Sequence, residues 1–226
     1  MRARFIVVAA GAAVSLAGVA SADLVPTALP AGTDIGSYSI DLGSSGQRGD
    51  VTVYENLATS GFFFPLSSAG AAYGDDLHMT SGGDVSSVSF GYFTPGLAAF
   101  DATISLYAND PADSVIPTAS PLLGSFTVTL DPGAFIVTVA LGTTIAAGSD
   151  IWLNYDATDA ESGLFISGAP ATIGASDDLF EIDDTGLFFF GGDPIANYTL
   201  AVGIVPAPGS LALLGLGGLF AIRRRR

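Results

Sequence analysis

Residues 124–141 read GSFTVTLDPGAFIVTVAL, and they point most directly to the class of fold. Apolar side chains alternate with small or polar ones on both sides of Asp131-Pro132-Gly133, at Phe126, Val128 and Leu130 and again at Phe135, Val137, Val139 and Leu141. A period of two is typical of a strand with one buried face. Proline presets φ and glycine accepts a positive φ, so the three central residues suit a tight turn. We therefore predict a β-hairpin.

The alternation continues in both directions along the chain. Further strands are predicted at 34–42, 50–57, 84–93, 100–109, 151–155, 164–167, 179–182 and 197–204, and residues 186–190 form a further apolar run. No interior stretch carries a convincing helical period, so no helix is predicted between the two ends of the chain. About ten short strands separated by turns predict an all-β fold, an antiparallel two-sheet β-sandwich with a jelly-roll-like arrangement.

Two stretches are less regular. Residues 62–65, Phe-Phe-Phe-Pro, form an apolar run that we expect to be buried at the end of a sheet, with an exposed binding patch as the alternative. Residues 73–79, YGDDLHM, show no clear alternation, and we assign no strand to them. His78 is the one histidine of the chain, and we interpret it as a loop or strand-edge residue.

The N-terminus predicts export. Arg2 and Arg4 precede an apolar run at 5–19, and Ala20-Ser21-Ala22 fits the small-residue cleavage pattern of a secretory signal peptide. We expect passage through the Sec translocon and cleavage between Ala22 and Asp23. The predicted organisation is a signal peptide at 1–22, an extended lead-in at 23–33, a β-sandwich at 34–205 and a tail at 206–226.

The tail has three parts in a fixed order. Val205-Pro206-Ala207-Pro208-Gly209 is followed by an apolar segment at 211–222 and by four arginines, Arg223, Arg224, Arg225 and Arg226. The two prolines separate the tail from the preceding strand, and the arginines would stay cytoplasmic. The apolar segment would form a helix of only about 18 Å, against about 30 Å of membrane hydrocarbon. This length suits a transient hold, with an ordinary C-terminal anchor as the alternative.

This tail resembles the PEP-CTERM sorting signal of Gram-negative bacteria, in a Val-Pro-Ala-Pro-Gly variant. Pro206 and Pro208 match the family's prolines, whereas Ala207 replaces its glutamate. The resemblance implies recognition by an exosortase, a membrane cysteine protease, after transient contact with the inner membrane. It also implies an association with exopolysaccharide or biofilm matrix. The motifs at 107–111 and 176–180 are similar to those of a β-sandwich domain that recurs ahead of such tails, a secreted module of unassigned activity.

The charge distribution restricts the partners of the exported part. All 22 acidic residues lie between Asp23 and Asp193, where Arg48 is the one basic residue besides His78. Such a surface repels nucleic acid and anionic membranes, and it attracts cations or basic partners. The chain has no cysteine, which excludes thiolate zinc sites, iron–sulfur clusters and thiol catalysis.

Clusters of aspartate make calcium the candidate cofactor, because calcium takes six to eight oxygen ligands. Our first candidate ligands are Asp177, Asp178, Asp183 and Asp184. Two other candidate groups are Asp75 with Asp76, and Asp156 and Asp159 with Glu161. None of these groups has the spacing of an EF-hand, and solvated loops are the alternative interpretation.

Sugar binding would require exposed aromatic side chains that stack on the rings. Trp152, Tyr107 and Tyr73 are the candidates. Trp152 lies opposite in alternation to Ile151, Leu153 and Tyr155, so it faces solvent or fills the second face of its sheet. Packing in the core is the favoured interpretation.

Catalytic patterns are weak. His78 lies near Asp75, Asp76 and Ser81, but no Gly-x-Ser-x-Gly elbow occurs, and no glutamate stands out as a general acid. We therefore predict no enzyme. The leading hypothesis is an exported structural or adhesive protein of the cell envelope or matrix. The alternatives are a carbohydrate-binding module assisted by calcium and, third, a secreted glycoside hydrolase.

Overall fold

A computed structural model describes residues 26–43, 50–66, 68–109, 120–177, 179–182, 187–189 and 197–205. The regular secondary structure of these residues is entirely β-strand. None of them belongs to a helix long and apolar enough to cross a membrane. The all-β prediction is therefore confirmed for the described part of the chain.

Fifteen strands are described. In chain order they are β1 (Thr27–Ala28), β2 (Gly36–Asp41), β3 (Val51–Asn56), β4 (Phe62–Pro65), β5 (Ala72–His78), β6 (Gly83–Thr94), β7 (Phe100–Ala108), β8 (Leu122–Leu130), β9 (Gly133–Ala147), β10 (Asp150–Ala157), β11 (Gly163–Ser167), β12 (Leu179–Ile182), β13 (Leu187–Phe189), β14 (Asn197–Tyr198) and β15 (Leu200–Val205).

The strands form two sheets, as a β-sandwich requires. The first sheet, called sheet A, has nine strands in the order β1-β4-β11-β6-β15-β3, with β9 also paired to β6, β2 to β9, and β14 to β11. The second, sheet B, has six strands in the order β13-β12-β5-β10-β7-β8. The described pairs are antiparallel except for β2 and β9, which run parallel, so the predicted purely antiparallel arrangement is wrong at this one pair.

The core lies between the two sheets, and the predicted apolar faces point into it. The inward side chains of β6, β7 and β15 are buried, at Val88, Phe90, Tyr92, Ala102, Ile104, Leu106, Leu200, Val202 and Ile204. In the apolar run of β4, Phe63 and Phe64 are buried, whereas Phe62 is 44% exposed. The alternation of these sequences therefore identified the core correctly.

The predicted hairpin at Asp131-Pro132-Gly133 is wrong. β8 pairs with β7 in sheet B, and β9 pairs with β6 and β2 in sheet A, so the chain crosses between the sheets at this turn. The hydroxyl of Tyr92 donates to the Asp131 carbonyl at 2.7 Å, and the Asp131 N–H donates to the Tyr38 hydroxyl at 3.3 Å. These two bonds tie the crossover to sheet A.

The error has a simple physical cause. Alternating side chains reach the same core whether two strands lie side by side in one sheet or face each other across the sandwich. Val128 and Leu130 of β8 and Val137 and Val139 of β9 are all buried in one core cluster. The period of the pattern therefore specifies the buried face but not the neighbour of the strand.

Candidate metal centre

The candidate site is built on β5, one of the strands that the sequence did not predict. β5 lies between β12 and β10 in sheet B, and Tyr73 through Leu77 are buried on both faces. Successive side chains of a strand point to opposite faces. Asp75 therefore faces the core and Asp76 faces the other side of the sheet, and both are completely buried.

On the core side, Asp75 is held by hydrogen bonds. Its Oδ2 accepts the Tyr198 N–H at 3.0 Å, and its Oδ1 accepts the Ser176 hydroxyl at 3.2 Å. Burial, and next to it the charge of Asp76, raise the pKa of the Asp75 carboxyl well above its ordinary value. Burial also raises the pKa of the neighbouring Tyr54 phenol, so this side of β5 disfavours negative charge.

On the other side, three side chains converge. His78 Nε2 lies 3.2 Å from Asp76 Oδ2 and 3.7 Å from Asp177 Oδ2. One ligand atom from each of these residues lies within 4.8 Å of the others. Asp76 is buried, His78 is partly buried and the Asp177 side chain is 60% exposed, so the cluster opens to solvent on the side of Asp177.

Asp150 orients the imidazole of His78 by contacting its Nδ1. The two residues are directly paired across β5 and β10, and His78 Nδ1 lies 2.7 Å from Asp150 Oδ1. The Ser149 hydroxyl donates to the other carboxylate oxygen at 2.6 Å. The bonds from Ser149 and His78 hold the pKa of Asp150 below its ordinary value. Nε2 is thereby directed at Asp76 and Asp177.

Asp177 reaches the cluster because residues 172–177 form a strap between the two sheets. The Thr172 N–H donates to Glu55 of β3 at 2.7 Å, whereas Ala175 exchanges two backbone bonds of 2.8 and 2.9 Å with His78 of β5. Gly174 between them has φ +74°, and a Cβ there would lie 2.6 Å from the His78 carbonyl. The strap ends with the Asp177 N–H donating to Asp76 Oδ2 at 3.0 Å.

The structure separates the predicted calcium ligands. Asp177 joins Asp76 in the cluster, but Asp178, Asp183 and Asp184 lie outside the described residues. Asp159 accepts hydrogen bonds from Thr94 and from the Glu161 N–H, and so it orders its own loop. Among the described residues, Asp76, His78 and Asp177 are the group whose ligand atoms converge on one point.

The predicted sugar-stacking residues are mostly inaccessible. Trp152 and Tyr73 have no exposed surface, and the Tyr73 hydroxyl donates to the Pro65 carbonyl at 2.7 Å. Both faces of β10 are covered, which is why Trp152 is buried although it points away from Ile151 and Leu153. Neither Trp152 nor Tyr73 can stack on a sugar from solvent, whereas Tyr107 is partly exposed.

One sequence signal could have located the cluster. Asp76 and His78 are two residues apart, and this spacing places both side chains on one face of a strand. The signal was missed because residues 73–79 were not assigned to a strand. The contributions of Asp150 and Asp177 depend on strand pairing and on the strap, which no local pattern shows.

A scan against protein-family models, a search of curated proteins and a search of solved structures each give no match to this chain.

Proposed function

We propose that this chain is an exported, non-catalytic protein of the cell envelope or extracellular matrix, sorted through its C-terminal tail. The supporting observation is the position of the last described strand. β15 pairs with β3 on one side and with β6 on the other, and its last residue is Val205. The predicted sorting motif starts with Val205 itself and the tail with Pro206, so cleavage within the tail removes no described strand.

The N-terminal end supports the same division. β1 begins at Thr27, four residues after the expected signal-peptide cleavage site, and it pairs with β4 at the edge of sheet A. The signal peptide at 1–22 and the tail at 206–226 lie outside the described residues. We further propose a jelly-roll-like order of the strands and a helix in the apolar segment at 211–222.

The acidic surface suits a protein that works outside the cell. With 22 carboxylates and Arg48 as its one arginine, the mature part stays soluble through self-repulsion and is not drawn to anionic lipid. We propose an exosortase as its processing partner and exopolysaccharide as its surroundings. The carbohydrate-binding alternative is weaker, because Trp152 and Tyr73 are completely buried.

The experiment that tests this function follows both ends of the chain. The full-length chain is expressed in Gram-negative cells with and without an exosortase, and intact-mass analysis is made of each cell fraction. We expect a product that begins at Asp23 in both strains, and loss of the tail only where the exosortase is present. A variant with Pro206→Ala and Pro208→Ala should keep its tail.

A matched control replaces two exposed prolines of the sandwich, Pro95→Ala and Pro121→Ala, and it should be processed like the parent. A second comparison replaces Arg223 to Arg226 by serine, which should release the chain from membrane retention before processing. The proposal is wrong if the full-length product accumulates in the cytosol with both ends uncut.

A further inference from the structure

His78 lies among three carboxylates, with Nδ1 next to Asp150 and Nε2 next to Asp76 and Asp177. Asp150 in its ordinary charged form can only accept, so the proton of the 2.7 Å contact sits on His78 Nδ1. In neutral imidazole the other nitrogen, Nε2, is then an acceptor as well. It faces carboxylate oxygens of Asp76 and Asp177 at 3.2 and 3.7 Å. Acceptors at these distances repel one another unless a proton or a cation lies between them.

The described residues contain no lysine or arginine, so among them His78 is the one side chain that can carry a positive charge. A buried carboxylate such as Asp76 is stable when it is paired, hydrogen-bonded or bound to a metal. A proton on His78 would bring one positive charge to the carboxylates of Asp76, Asp150 and Asp177. A divalent ion brings two.

We propose that Asp76 Oδ2, His78 Nε2 and Asp177 Oδ2 bind a divalent transition-metal ion of the zinc type. Ligand atoms about 2.0–2.2 Å from a tetrahedral zinc ion lie about 3.3–3.5 Å apart. The two distances from Nε2, 3.2 and 3.7 Å, lie on either side of that range, so small side-chain movements suffice. The exposed Asp177 side provides the entry path, and a water molecule completes the coordination.

The set of ligands selects against calcium. Calcium takes six to eight oxygen ligands, whereas an imidazole nitrogen with two carboxylates suits zinc and its neighbours. Asp150 behind His78 is the kind of carboxylate that orients a metal-binding imidazole. Trp152 lies directly across from Asp76 on the same face of sheet B. Its buried indole N–H has no hydrogen-bond partner among the described residues.

The ion would also fasten the strap. Asp76 and His78 belong to β5 of sheet B, and Asp177 ends the segment that hydrogen-bonds to Glu55 of sheet A. A ligand that binds only the folded chain stabilises it by mass action. At a hundredfold excess over Kd, the expected rise in Tm is about 5–10 °C for a domain of this size. The proposed metal site contains no residue of the tail, so metal binding does not depend on processing of the tail.

The test is a metal titration of the untagged full-length chain, purified in detergent and stripped with a chelator. Zinc chloride and calcium chloride are compared by calorimetry and by thermal unfolding. We expect one zinc ion per chain, a rise in Tm with zinc, and calcium binding at least about tenfold weaker. His78→Gln and Asp177→Asn should each weaken zinc binding at least about tenfold, and circular dichroism should show that both variants fold.

Asp84→Asn is the matched control, since Asp84 is an exposed aspartate on β6, and it should bind zinc like the parent. Because Asp177 is largely exposed, its variant tests the site even if changes at the buried Asp76 prevent folding. Three results would overturn the proposal: no saturable zinc binding, equal zinc affinity in the parent and both variants, or tighter binding of calcium than of zinc.

Discussion

β8 and β5 belong to the same sheet, but their surroundings differ. β8 is the last strand of sheet B, with Val128 and Leu130 in the core and Thr127 and Thr129 exposed to solvent. β5 lies between two other strands and is buried on both faces from residue 73 to residue 77. A strand with one face in solvent needs apolar and polar side chains in alternation. A strand that is buried on both faces also accepts polar side chains, provided that they form hydrogen bonds or ion pairs there.

This difference in burial explains why the polar residues of β5 need specific partners, whereas those of β8 do not. A hydroxyl on β8, such as that of Thr127, is solvated, and its bond to Thr103 is optional. A carboxylate on β5 has lost its water and needs hydrogen bonds or a cation instead. Asp75 and Asp76 meet this requirement in different ways, the first with backbone and hydroxyl donors and the second with His78 and the strap.

The inner faces of the two strands should behave alike, and this is where the largest effect is expected. Leu130→Ala in β8 and Leu77→Ala in β5 each remove a completely buried side chain and should lower the free energy of unfolding by about 2–5 kcal/mol. Urea denaturation measures the change, and the exposed Thr129→Ala is the control, at about 1 kcal/mol or less. A loss below about 1 kcal/mol at Leu77 would contradict its placement in the core.

Substitutions on the outer faces of the two strands should differ in their effect on stability, and these effects should be smaller than those on the inner faces. Gly74→Ala in β5 would place a Cβ 2.2 Å from Asn154 Oδ1, and Asn154 Nδ2 donates to Glu181 at 3.0 Å. Displacing this buried amide should cost about 1–3 kcal/mol. Thr127→Val on the exposed face of β8 should change stability by only about 0.5 kcal/mol. Equal and small changes in stability for Gly74→Ala and Thr127→Val would show that the outer face of β5 is exposed to solvent.

The same contrast shows how much of the molecule a sequence can predict. Strand positions and buried faces followed from alternation at β6 to β9, because each of these strands has a continuous inward row of apolar side chains. β5 has no such row, because Asp75 lies between Tyr73 and Leu77 on its inward face. The cluster of Asp76, His78 and Asp177 brings β5 together with β10, 72 residues further along the chain, and with a strap 101 residues further along, and a local pattern carries no information about such pairing.

The crossover between β8 and β9 offers the last and smallest test. In a hairpin, the turn at Asp131 would not depend on Tyr92, whereas here the Tyr92 hydroxyl donates to the Asp131 carbonyl from β6. Tyr92→Phe removes that bond within a closed aromatic cluster and should cost about 0.5–1.5 kcal/mol in urea denaturation. Tyr38→Phe is the comparison: both variants lose the 2.9 Å bond between the two hydroxyls, and Tyr38→Phe should cost less because its own bond to Asp131 is longer, 3.3 Å against 2.7 Å. If Tyr92→Phe is as stable as the parent, the crossover is not held by this hydroxyl, and side-by-side pairing of β8 with β9 becomes the better description.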